Sequence, residues 1–375
     1  PGAGARGPLL AVPGPPGSYA CCAGAAAFAA LRADGSVVTW GDVACGGDSG
    51  PVRQQLAQGV RSLCASNFAF SAVRADGSAV AWGHERSGGD PGKVREQLAS
   101  GVCEVYSTSR AFAALKADGS VVTWGDEGYG GDSAAVGDQL SCGVEHVCST
   151  GSAFAALKAD GSVVTWGSWY RGGDSTAVRK QLEGGVQSLC STSEAFAALK
   201  RSGFVVTWGS PSKGGDSAAV RELITSGVAQ VCATDHAFAA LRSDGSVVAW
   251  GDADLGGSCR AVAEQLSGGV QRLCATGSAF AALGRGGSVV AWGLSDRGGE
   301  PGAARERLAS GVRQVHASER AFAAVREDGS VVVWGDLGEA AAAVLRGRPQ
   351  DGEEAGDVLG QSGAGGAATF QGRLW

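Results

Sequence analysis

The sequence contains no methionine, only four histidines and four tyrosines, and no apolar run long enough to cross a bilayer. Its charge is mild, with a formal net value of −6, so a nucleic-acid partner is not expected. No signal peptide is evident, and we expect a cytoplasmic or nuclear location without a membrane partner. The lack of methionine and the start at Pro1 are expected of a processed chain or a fragment.

Sequence motifs that carry catalytic or metal chemistry are also missing. There is no Cys-x-x-Cys pair, no His-Glu-x-x-His, no nucleophile elbow and no phosphate-binding Gly-Lys-Ser/Thr. The segment GAGARG near the start matches Gly-x-Gly-x-x-Gly formally, but neither a strand nor a helix flanks it, so a dinucleotide site is rejected. We expect a non-enzymatic protein with no cofactor, no metal and no catalytic residue.

One segment recurs through most of the chain. Ala111 to Asp126 reads AFAALKADGSVVTWGD, and its Trp-Gly ending returns every 42 residues without an insertion or deletion. A fixed period of this length is typical of a repeat array or a propeller. The tryptophans that mark the eight copies, and that we expect to form the repeated core, are Trp40, Trp82, Trp124, Trp166, Trp208, Trp250, Trp292 and Trp334.

The recurring segment predicts a β-hairpin. Two apolar runs, which we name strands B and C, flank a polar turn centred on Asp118-Gly119. Glycine holds this turn position in all eight copies, which indicates a positive φ. Both strands are apolar on both faces, so each hairpin must be covered on two sides.

A connector and one more strand precede each hairpin. In the copy from Gly83 to Trp124, PGKVREQLASG predicts a helix of about two turns capped by Gly101, and Val102 to Ser107 predicts a strand A. In most other copies Asp-Ser before this segment is a candidate N-cap. A three-stranded sheet is not stable alone, so neighbouring repeats must stack. The fold class predicted is an all-β β-propeller of eight such repeats.

The domain boundaries follow from where the repeat begins and decays. We expect a Pro/Gly/Ala-rich disordered lead-in over 1–17, the repeat propeller over 18–338, and a degenerate last connector with a low-complexity tail over 339–375. After Trp334 the Gly-Gly-Asp of the other connectors is replaced by Ala340-Ala341-Ala342. The protein is expected to be a monomer.

Six of the eleven cysteines fall at one position of strand A, where Tyr106 and His316 stand in the two other copies. Their spacing has no zinc-site logic, so buried small residues are expected. The alternative is a ring of thiols around a central channel. The cysteines at this position are Cys22, Cys64, Cys148, Cys190, Cys232 and Cys274.

The pattern V-x-x-L-C followed by AFAAL-x-DG-x-VV-x-WG resembles the repeat of the regulator of chromosome condensation family over about residues 18 to 338. Its period and helical connector are similar to the compact repeat of the type II β-lactamase inhibitory protein. The resemblance implies a propeller, normally with seven blades, whereas eight strand sets are present here. An eight-bladed ring, seven blades plus one set outside the ring, and an open spiral all remain possible.

The sequence departs from that family at two points: Gly-Gly-Asp replaces Gly-Gln-Leu-Gly, and the His-Ser or His-Thr before strand B is missing. The family includes a nucleotide-exchange factor that acts through an inserted β-wedge, for which an array without insertions has no room. It also includes HERC-type ubiquitin ligases, whose activity lies in a separate domain. A HERC-type recognition propeller, and a nucleotide-exchange or chromatin-binding protein, are kept as alternative functions.

Alternating strand directions place the A–B loop and the loop after Trp-Gly on one face, and the B–C turn on the other. The first two loops differ most between copies, which predicts a protein-binding surface there, with drift of exposed loops as the alternative. Aromatic residues and arginine usually dominate such surfaces. The residues predicted to bind a protein partner are Phe68, Arg110, Tyr129, Trp169, Tyr170 and Arg171.

Two alternatives qualify this prediction. Trp169 and Tyr170 would contribute little if they fold back over their own blade edge. On the opposite face a basic residue precedes most turns, either as a solvated charge beside the turn aspartate or as part of a crown that binds an acidic partner. These basic residues are Arg32, Arg74, Lys116, Lys158, Lys200, Arg242 and Arg326.

Overall fold

The structure, a computed structural model, describes residues 9–10 and 20–338. They divide into two compact units, which are described separately. The first comprises the described residues up to Arg201 together with Val206–Asp216, and the second comprises Ser202–Val205 and the described residues from Ser217 onward.

Each of the eight strand sets forms its own antiparallel sheet, which we call a blade, with strands in the order A, B, C. The strands of blades 1 to 4 are β2 Ala20–Ala23, β3 Ala27–Leu31, β4 Val37–Gly41, β5 Val60–Ala65, β6 Ala69–Arg74, β7 Ala79–Gly83, β8 Val102–Ser107, β9 Ala111–Lys116, β10 Val121–Gly125, β11 Val144–Ser149, β12 Ala153–Lys158 and β13 Val163–Gly167. The strands of blades 5 to 8 are β14 Val186–Ser191, β15 Ala195–Lys200, β16 Val205–Gly209, β17 Val228–Ala233, β18 Ala237–Arg242, β19 Val247–Gly251, β20 Val270–Ala275, β21 Ala279–Gly284, β22 Val289–Gly293, β23 Val312–Ala317, β24 Ala321–Arg326 and β25 Val331–Gly335.

The predicted fold class is confirmed: the described residues form an all-β structure of eight blades of the propeller type, each built from strands A, B and C, and a short strand β1, Leu9–Leu10, adds a fourth strand to blade 2. The predicted hairpins are present with the expected register. In blade 3, for example, Phe112 pairs with Trp124, and the two rings stack at 5.3 Å between centroids. The same Phe–Trp stack recurs in all eight blades because the 42-residue period keeps both residues in register.

Consecutive blades pack through the aromatic stack. In blade 3 the stack is covered by the loop that follows blade 2, where a Cβ on Gly88 would lie 2.5 Å from Cδ2 of Phe112. Trp124 Nε1 donates a hydrogen bond of 3.0 Å to the Gly88 carbonyl. The equivalent bond, from each indole to a glycine 36 residues earlier, is made by Trp82, Trp166, Trp208, Trp292 and Trp334.

Trp40 departs from the predicted buried core. It is 47% exposed and its stacking partner Phe28 is 43% exposed, whereas the seven other repeat tryptophans are buried. The position 36 residues before Trp40, where the other repeats have the covering glycine, is position 4, and it lies outside the described residues.

The connectors are shorter helices than predicted. Instead of about two α-helical turns, most contain 3-10 turns of three residues, because Gly or Pro interrupts several of them and each spans only a short gap between strands. The 3-10 segments are Val43–Cys45, Gly50–Val52, Glu85–Ser87, Gly92–Val94, Glu127–Tyr129, Ala134–Val136, Trp169–Arg171, Thr176–Val178, Pro211–Lys213, Ala218–Leu223, Ala253–Leu255, Arg260–Val262, Ser295–Arg297, Gly302–Ala304 and Glu306–Leu308. One α-helical turn, α1, is formed by Arg179–Leu182 within the described repeats.

The capping residue of the connector is the aspartate of Asp-Ser. Oδ1 of Asp132 accepts from the Ala134 amide at 2.8 Å, while Ser133 occupies the N-cap position without a side-chain capping bond, its hydroxyl accepting from Thr123 instead. The aspartate acts two residues ahead, as in an Asx-turn, because the first turn is 3-10 and tightly wound.

The B–C turns have the predicted geometry. Gly119 has φ of 76°, which a residue with a Cβ rarely adopts. Asp118 Oδ1 accepts bonds from the amide and the hydroxyl of Ser120 at 2.9 and 2.6 Å. The same Asp–Ser hydrogen bond closes the turn in the six copies that carry Asp-Gly-Ser, which explains why the three residues recur together.

The aligned cysteines of strand A behave as small structural residues where their side chains are described. Cys64, Cys148, Cys190 and Cys232 are buried, and Cys274 is half-buried. Burial raises the pKa of the Cys64 thiol to about 12 and that of Cys274 to about 11. Such thiols are weak nucleophiles at neutral pH.

Most of the predicted lead-in and all of the predicted tail lie outside the described residues, so their predicted disorder stays a prediction. One short element of the lead-in is described: β1, Leu9–Leu10, pairs antiparallel with Leu63 and Ser62 of β5. Among the described residues, no helix has the length and apolarity that crossing a membrane requires.

Candidate functional site

The two variable loops of each blade lie together at one end of the sheet, as predicted. In blade 3 the amide of Asp126, which follows strand C, donates to the carbonyl of Arg110 in the A–B loop at 3.0 Å. Thr108 Oγ1 of the A–B loop donates to the carbonyl of Tyr129 at 2.9 Å. These bonds fix the loop after strand C against the A–B loop, so each blade presents both loops as one rigid surface.

The A–B loops of blades 2 to 5 are also joined to one another. The Asn67 amide donates to the Ser109 carbonyl at 3.0 Å, the Ser109 amide to the Gly151 carbonyl at 3.0 Å, and the Gly151 amide to the Ser193 carbonyl at 2.8 Å. We call the strip formed by these loops and the loops after strand C of blades 2 to 4 the loop face. It is a continuous, hydrogen-bonded surface within the first unit.

Arg110 is held between two aromatic rings on the loop face. Its guanidinium carbon lies 5.4 Å from the ring centroid of Phe68 and 5.1 Å from that of Tyr129. Phe68 belongs to the A–B loop of blade 2, so this stack joins two blades. Arg110, Phe68 and Tyr129 are all half-buried. Cation–π contacts of this kind contribute about 0.5 to 2 kcal/mol each.

The N–H groups at the edge of the Arg110 guanidinium donate no hydrogen bond within the described part of the chain. Its two faces are covered by rings, yet no described carboxylate or carbonyl accepts a hydrogen bond from its side chain. A guanidinium in this state has a fixed position and free N–H donors. That arrangement suits a carboxylate or a backbone carbonyl of another molecule.

Trp169 and Tyr170 form a second aromatic cluster on the loop face. Their rings meet edge to face at 5.4 Å, and they are 73% and 49% exposed. Arg171 lies 5.2 Å above the Tyr170 ring and its Nε is 3.4 Å from Oε1 of Glu194 in blade 5. Trp169 therefore projects into solvent instead of covering the edge of its own blade.

The structure thus gathers the six predicted residues into two clusters, Phe68–Arg110–Tyr129 and Trp169–Tyr170–Arg171. No described contact joins the two clusters directly. Sequence reasoning missed two neighbours: His84, whose ring lies 6.4 Å from that of Phe68, and Glu194. Both could have been identified from the sequence. His84 directly follows a Trp-Gly pair and Glu194 lies in an A–B loop, and both positions belong to the face that was predicted to bind a partner.

Three arginines on the opposite face pair with the aspartate of their own turn, whereas the Nζ groups of Lys158 and Lys200 donate to the carbonyls of Gln139 and Gln181. Arg74 pairs with Asp76 at 2.6 Å, Arg242 with Asp244 at 3.0 Å, and Arg326 with Asp328 at 2.9 Å. Hydrogen bonds from Ser78, helped by the charge of Arg74, hold the pKa of Asp76 below its ordinary value. These contacts favour solvated turn charges over a crown that awaits an acidic partner.

No group of three or more His, Cys, Asp or Glu within 9–10 and 20–338 is arranged to hold a metal ion.

No family model matches the chain, and no curated protein matches it by sequence. Solved structures do resemble it. Prp20p from Saccharomyces cerevisiae is 14% identical over 87% of this chain and 84% of its own, with a TM-score of 0.39. Human WBSCR16 is 17% identical over 63% of this chain and 76% of its own, with a TM-score of 0.38.

The β-propeller domain of Cps50 (Swd1) from Myceliophteria thermophila is 11% identical over 88% of this chain and 99% of its own, with a TM-score of 0.32. All three identities are below 20% and all three TM-scores are below 0.5, so no residue role is transferred from these proteins. The resemblance to the regulator of chromosome condensation repeat stays a prediction at the level of the family.

Proposed function

We propose that this protein is a non-enzymatic interaction scaffold that binds a protein partner through the loop face. The observation that carries the proposal is the state of Arg110, which is clamped between Phe68 and Tyr129 while its N–H edge is free. Because the guanidinium is already held in place before a partner binds, less side-chain entropy is lost on binding.

The neighbouring loop supplies the apolar part of the same surface. Trp169 is 73% exposed, more than any other large apolar residue of the described chain. Maintaining such exposure on a hydrogen-bonded strip has no benefit for folding, and Trp, Tyr and Arg are the residues that most often dominate binding energy at protein interfaces. An aromatic anchor on one blade and a free guanidinium on the neighbouring blade suit a protein segment that carries an apolar residue and a carboxylate or free carbonyl.

Two narrower functions follow from the sequence resemblance alone. They are the recognition propeller of a HERC-type ubiquitin ligase, and nucleotide exchange or chromatin binding. Direct binding assays with small GTPases and with nucleosomes would test the second.

The loop face is tested by comparing the partners captured by four forms of the protein. These are the wild type, Trp169→Ala, Arg110→Ala, and a control with Lys116→Ala and Lys158→Ala on the opposite face. Quantitative mass spectrometry should show a partner that the wild type and the lysine variant retain and that the other two lose. With that partner purified, Trp169→Ala should weaken binding by about 1 to 2 kcal/mol, or roughly five- to thirtyfold in Kd.

The thermal stability of Trp169→Ala should stay close to that of the wild type, because an exposed side chain contributes little to folding. A partner lost with the two lysines and retained without Trp169 would place binding on the opposite face.

A further inference from the structure

A cavity of about 540 Å³ lies between blades 7 and 8, near the start of strands β20 and β23. Both strands carry a β-bulge at this point, because the pairing register shifts between Val270 and Arg272 and again between Val312 and Gln314. Bulges redirect side chains and are frequent beside functional sites. The cavity belongs to the second unit and lies at the end of its blades that is opposite the A–B loops.

Six side chains line this cavity, and none of them is acidic. Blade 7 supplies a glutamine followed by an arginine, and blade 8 supplies an arginine followed by a glutamine. These four polar residues are exposed, whereas the two apolar residues are buried or half-buried and form the floor. The lining residues are Gln271, Arg272, Leu283, Arg313, Gln314 and Val325.

The equivalent gap between blades 2 and 3 is closed by a side chain of the protein itself. Arg61 occupies the position in strand A that Gln271 occupies in blade 7. Its guanidinium donates to the carbonyls of Val102 and Cys103 in blade 3, to the first at 3.1 Å. An arginine at this end of strand A can therefore reach the next blade and bind oxygen atoms there.

The gap between blades 6 and 7 is closed in a similar way. Gln230 occupies the position in strand A that Arg272 occupies one blade later. Its side-chain amide accepts from the Leu273 amide at 3.4 Å and donates to the Leu273 carbonyl at 3.5 Å. The side chain thus joins the two blades through both backbone groups of one residue.

No such bond closes the gap between blades 7 and 8. Within the part of the chain that the structure describes, the side chains of Arg272 and Arg313 make neither a hydrogen bond nor an ion pair, and those of Gln271 and Gln314 make no hydrogen bond. The donors of all four residues are therefore available to a ligand.

The turns beside the cavity leave the two positive charges unbalanced. The Val312 amide donates to the Gly287 carbonyl at 2.9 Å, which places the B–C turn of blade 7 beside the start of β23. This turn carries Gly286 where six other copies carry aspartate. The acidic residues of the blade 8 turn do not line the cavity, and Asp328 is paired with Arg326 at 2.9 Å.

The charge of the lining matches a phosphate monoester better than a carboxylate. A guanidinium pairs with either group through two parallel N–H bonds. One such pair already satisfies the single charge of a carboxylate. A phosphate monoester carries a charge of about −1.5 to −2 at pH 7 and has three acceptor oxygens, so it can use two guanidinium groups. The glutamine amides supply further donors.

The cavity also has room for the organic part of such a ligand. Sites for small molecules usually have volumes of about 300 to 1,000 Å³ and combine an apolar lining with a few polar groups. Here Leu283 and Val325 supply the apolar surface. An inorganic phosphate ion would leave that surface uncovered.

We propose that the cavity between blades 7 and 8 binds an organic phosphate monoester. Arg272 and Arg313 donate to the phosphate oxygens, and the organic part packs on Leu283 and Val325. The site is separate from the loop face and does not depend on the function proposed for that face.

Titration of the full chain with phenyl phosphate, followed by NMR of isotope-labelled arginine side chains, tests the site. The Nε–H signals of Arg272 and Arg313 are assigned by their loss in Arg272→Gln and Arg313→Gln. In the wild type both signals should shift together and saturate. Each substitution should weaken binding by about tenfold or more, because it removes charge-assisted hydrogen bonds. Arg260→Gln, an equal loss of charge at an exposed residue outside the cavity, should leave the Kd unchanged.

Two further ligands define the chemistry of the site. Benzoate has the same ring with a single negative charge, and it should bind about tenfold more weakly than phenyl phosphate. A peptide of alanines around one phosphoserine distinguishes the sources of the phosphate. Tighter binding of phenyl phosphate would support a small phosphate ester as the ligand, and tighter binding of the peptide would support a phosphorylated side chain.

Three results would overturn the proposal. If the signals of Arg272 and Arg313 do not shift to saturation, the cavity does not bind this group. If Arg260→Gln weakens binding as much as Arg272→Gln, the attraction comes from the general charge of the surface. If benzoate binds as tightly as phenyl phosphate, the site takes a carboxylate. Circular dichroism of each variant confirms that the blades stay folded.

Discussion

Replacing Trp166 with alanine is expected to lower the free energy of unfolding by about 3 to 5 kcal/mol. Trp166 is 5% exposed and its ring stacks on Phe154 at 5.2 Å. Its Nε1 also donates to the Gly130 carbonyl at 3.1 Å. The substitution therefore opens a cavity between two blades and leaves a buried carbonyl without its donor, and the two effects add.

The matched control is Trp169→Ala, three residues further along the same chain segment. Trp169 is 73% exposed, so its removal should change the free energy of unfolding by no more than about 0.5 kcal/mol. Urea denaturation of the wild type and both variants, followed by circular dichroism, gives the comparison. Equal destabilisation by the two substitutions would mean that the indole of Trp166 is not the one that supports the blade.

The period of the sequence carried most of the information about the fold. A strict 42-residue spacing fixes the register of Phe112 against Trp124 in every copy, and the glycine of each turn marks where the hairpin reverses. The connector was harder because Val94 and Leu98 stand four residues apart, as in an α-helix. The structure contains only Gly92–Val94 as a 3-10 turn there, since Pro91 and the short span between strands outweigh that periodicity.

The sequence predicted which end of the blades carries the candidate site, but it did not predict which side chains touch each other there. Alternating strand directions place Phe68, Arg110 and Tyr129 at the same end of their blades. That Arg110 lies between the two rings depends on the spacing of neighbouring blades, which is set by the glycine on each aromatic stack. The exposure of Trp40 was missed for a related reason. The repeat around Trp40 has the same sequence pattern as the repeats whose tryptophan is buried. In those repeats the tryptophan is covered by the loop of the preceding blade, so its burial does not depend on its own repeat alone.

Deleting one whole repeat, residues 84–125, should preserve a soluble protein that unfolds cooperatively, whereas deleting half a repeat, residues 84–104, should not. The whole-repeat deletion removes blade 3 and joins Gly83 to Asp126. Gly130 is kept, so Trp166 retains its acceptor and the loop after blade 2 still ends in Gly-Gly. Repeat arrays tolerate such changes because each repeat contacts mainly its neighbours.

The half-repeat deletion removes Gly88 and the first half of β8 while keeping the β9–β10 hairpin. The stack of Phe112 and Trp124 then loses its covering glycine and its carbonyl acceptor, although only half as many residues are removed. Urea unfolding should show one transition for the whole-repeat deletion, with an m-value lower by about a tenth because less surface is exposed on unfolding. A comparable loss of soluble, cooperative protein in both deletions would contradict the assignment of the 42-residue repeat as the structural unit. If only the half-repeat deletion fails, then the interface between a glycine loop and the next aromatic stack is what holds the blades together.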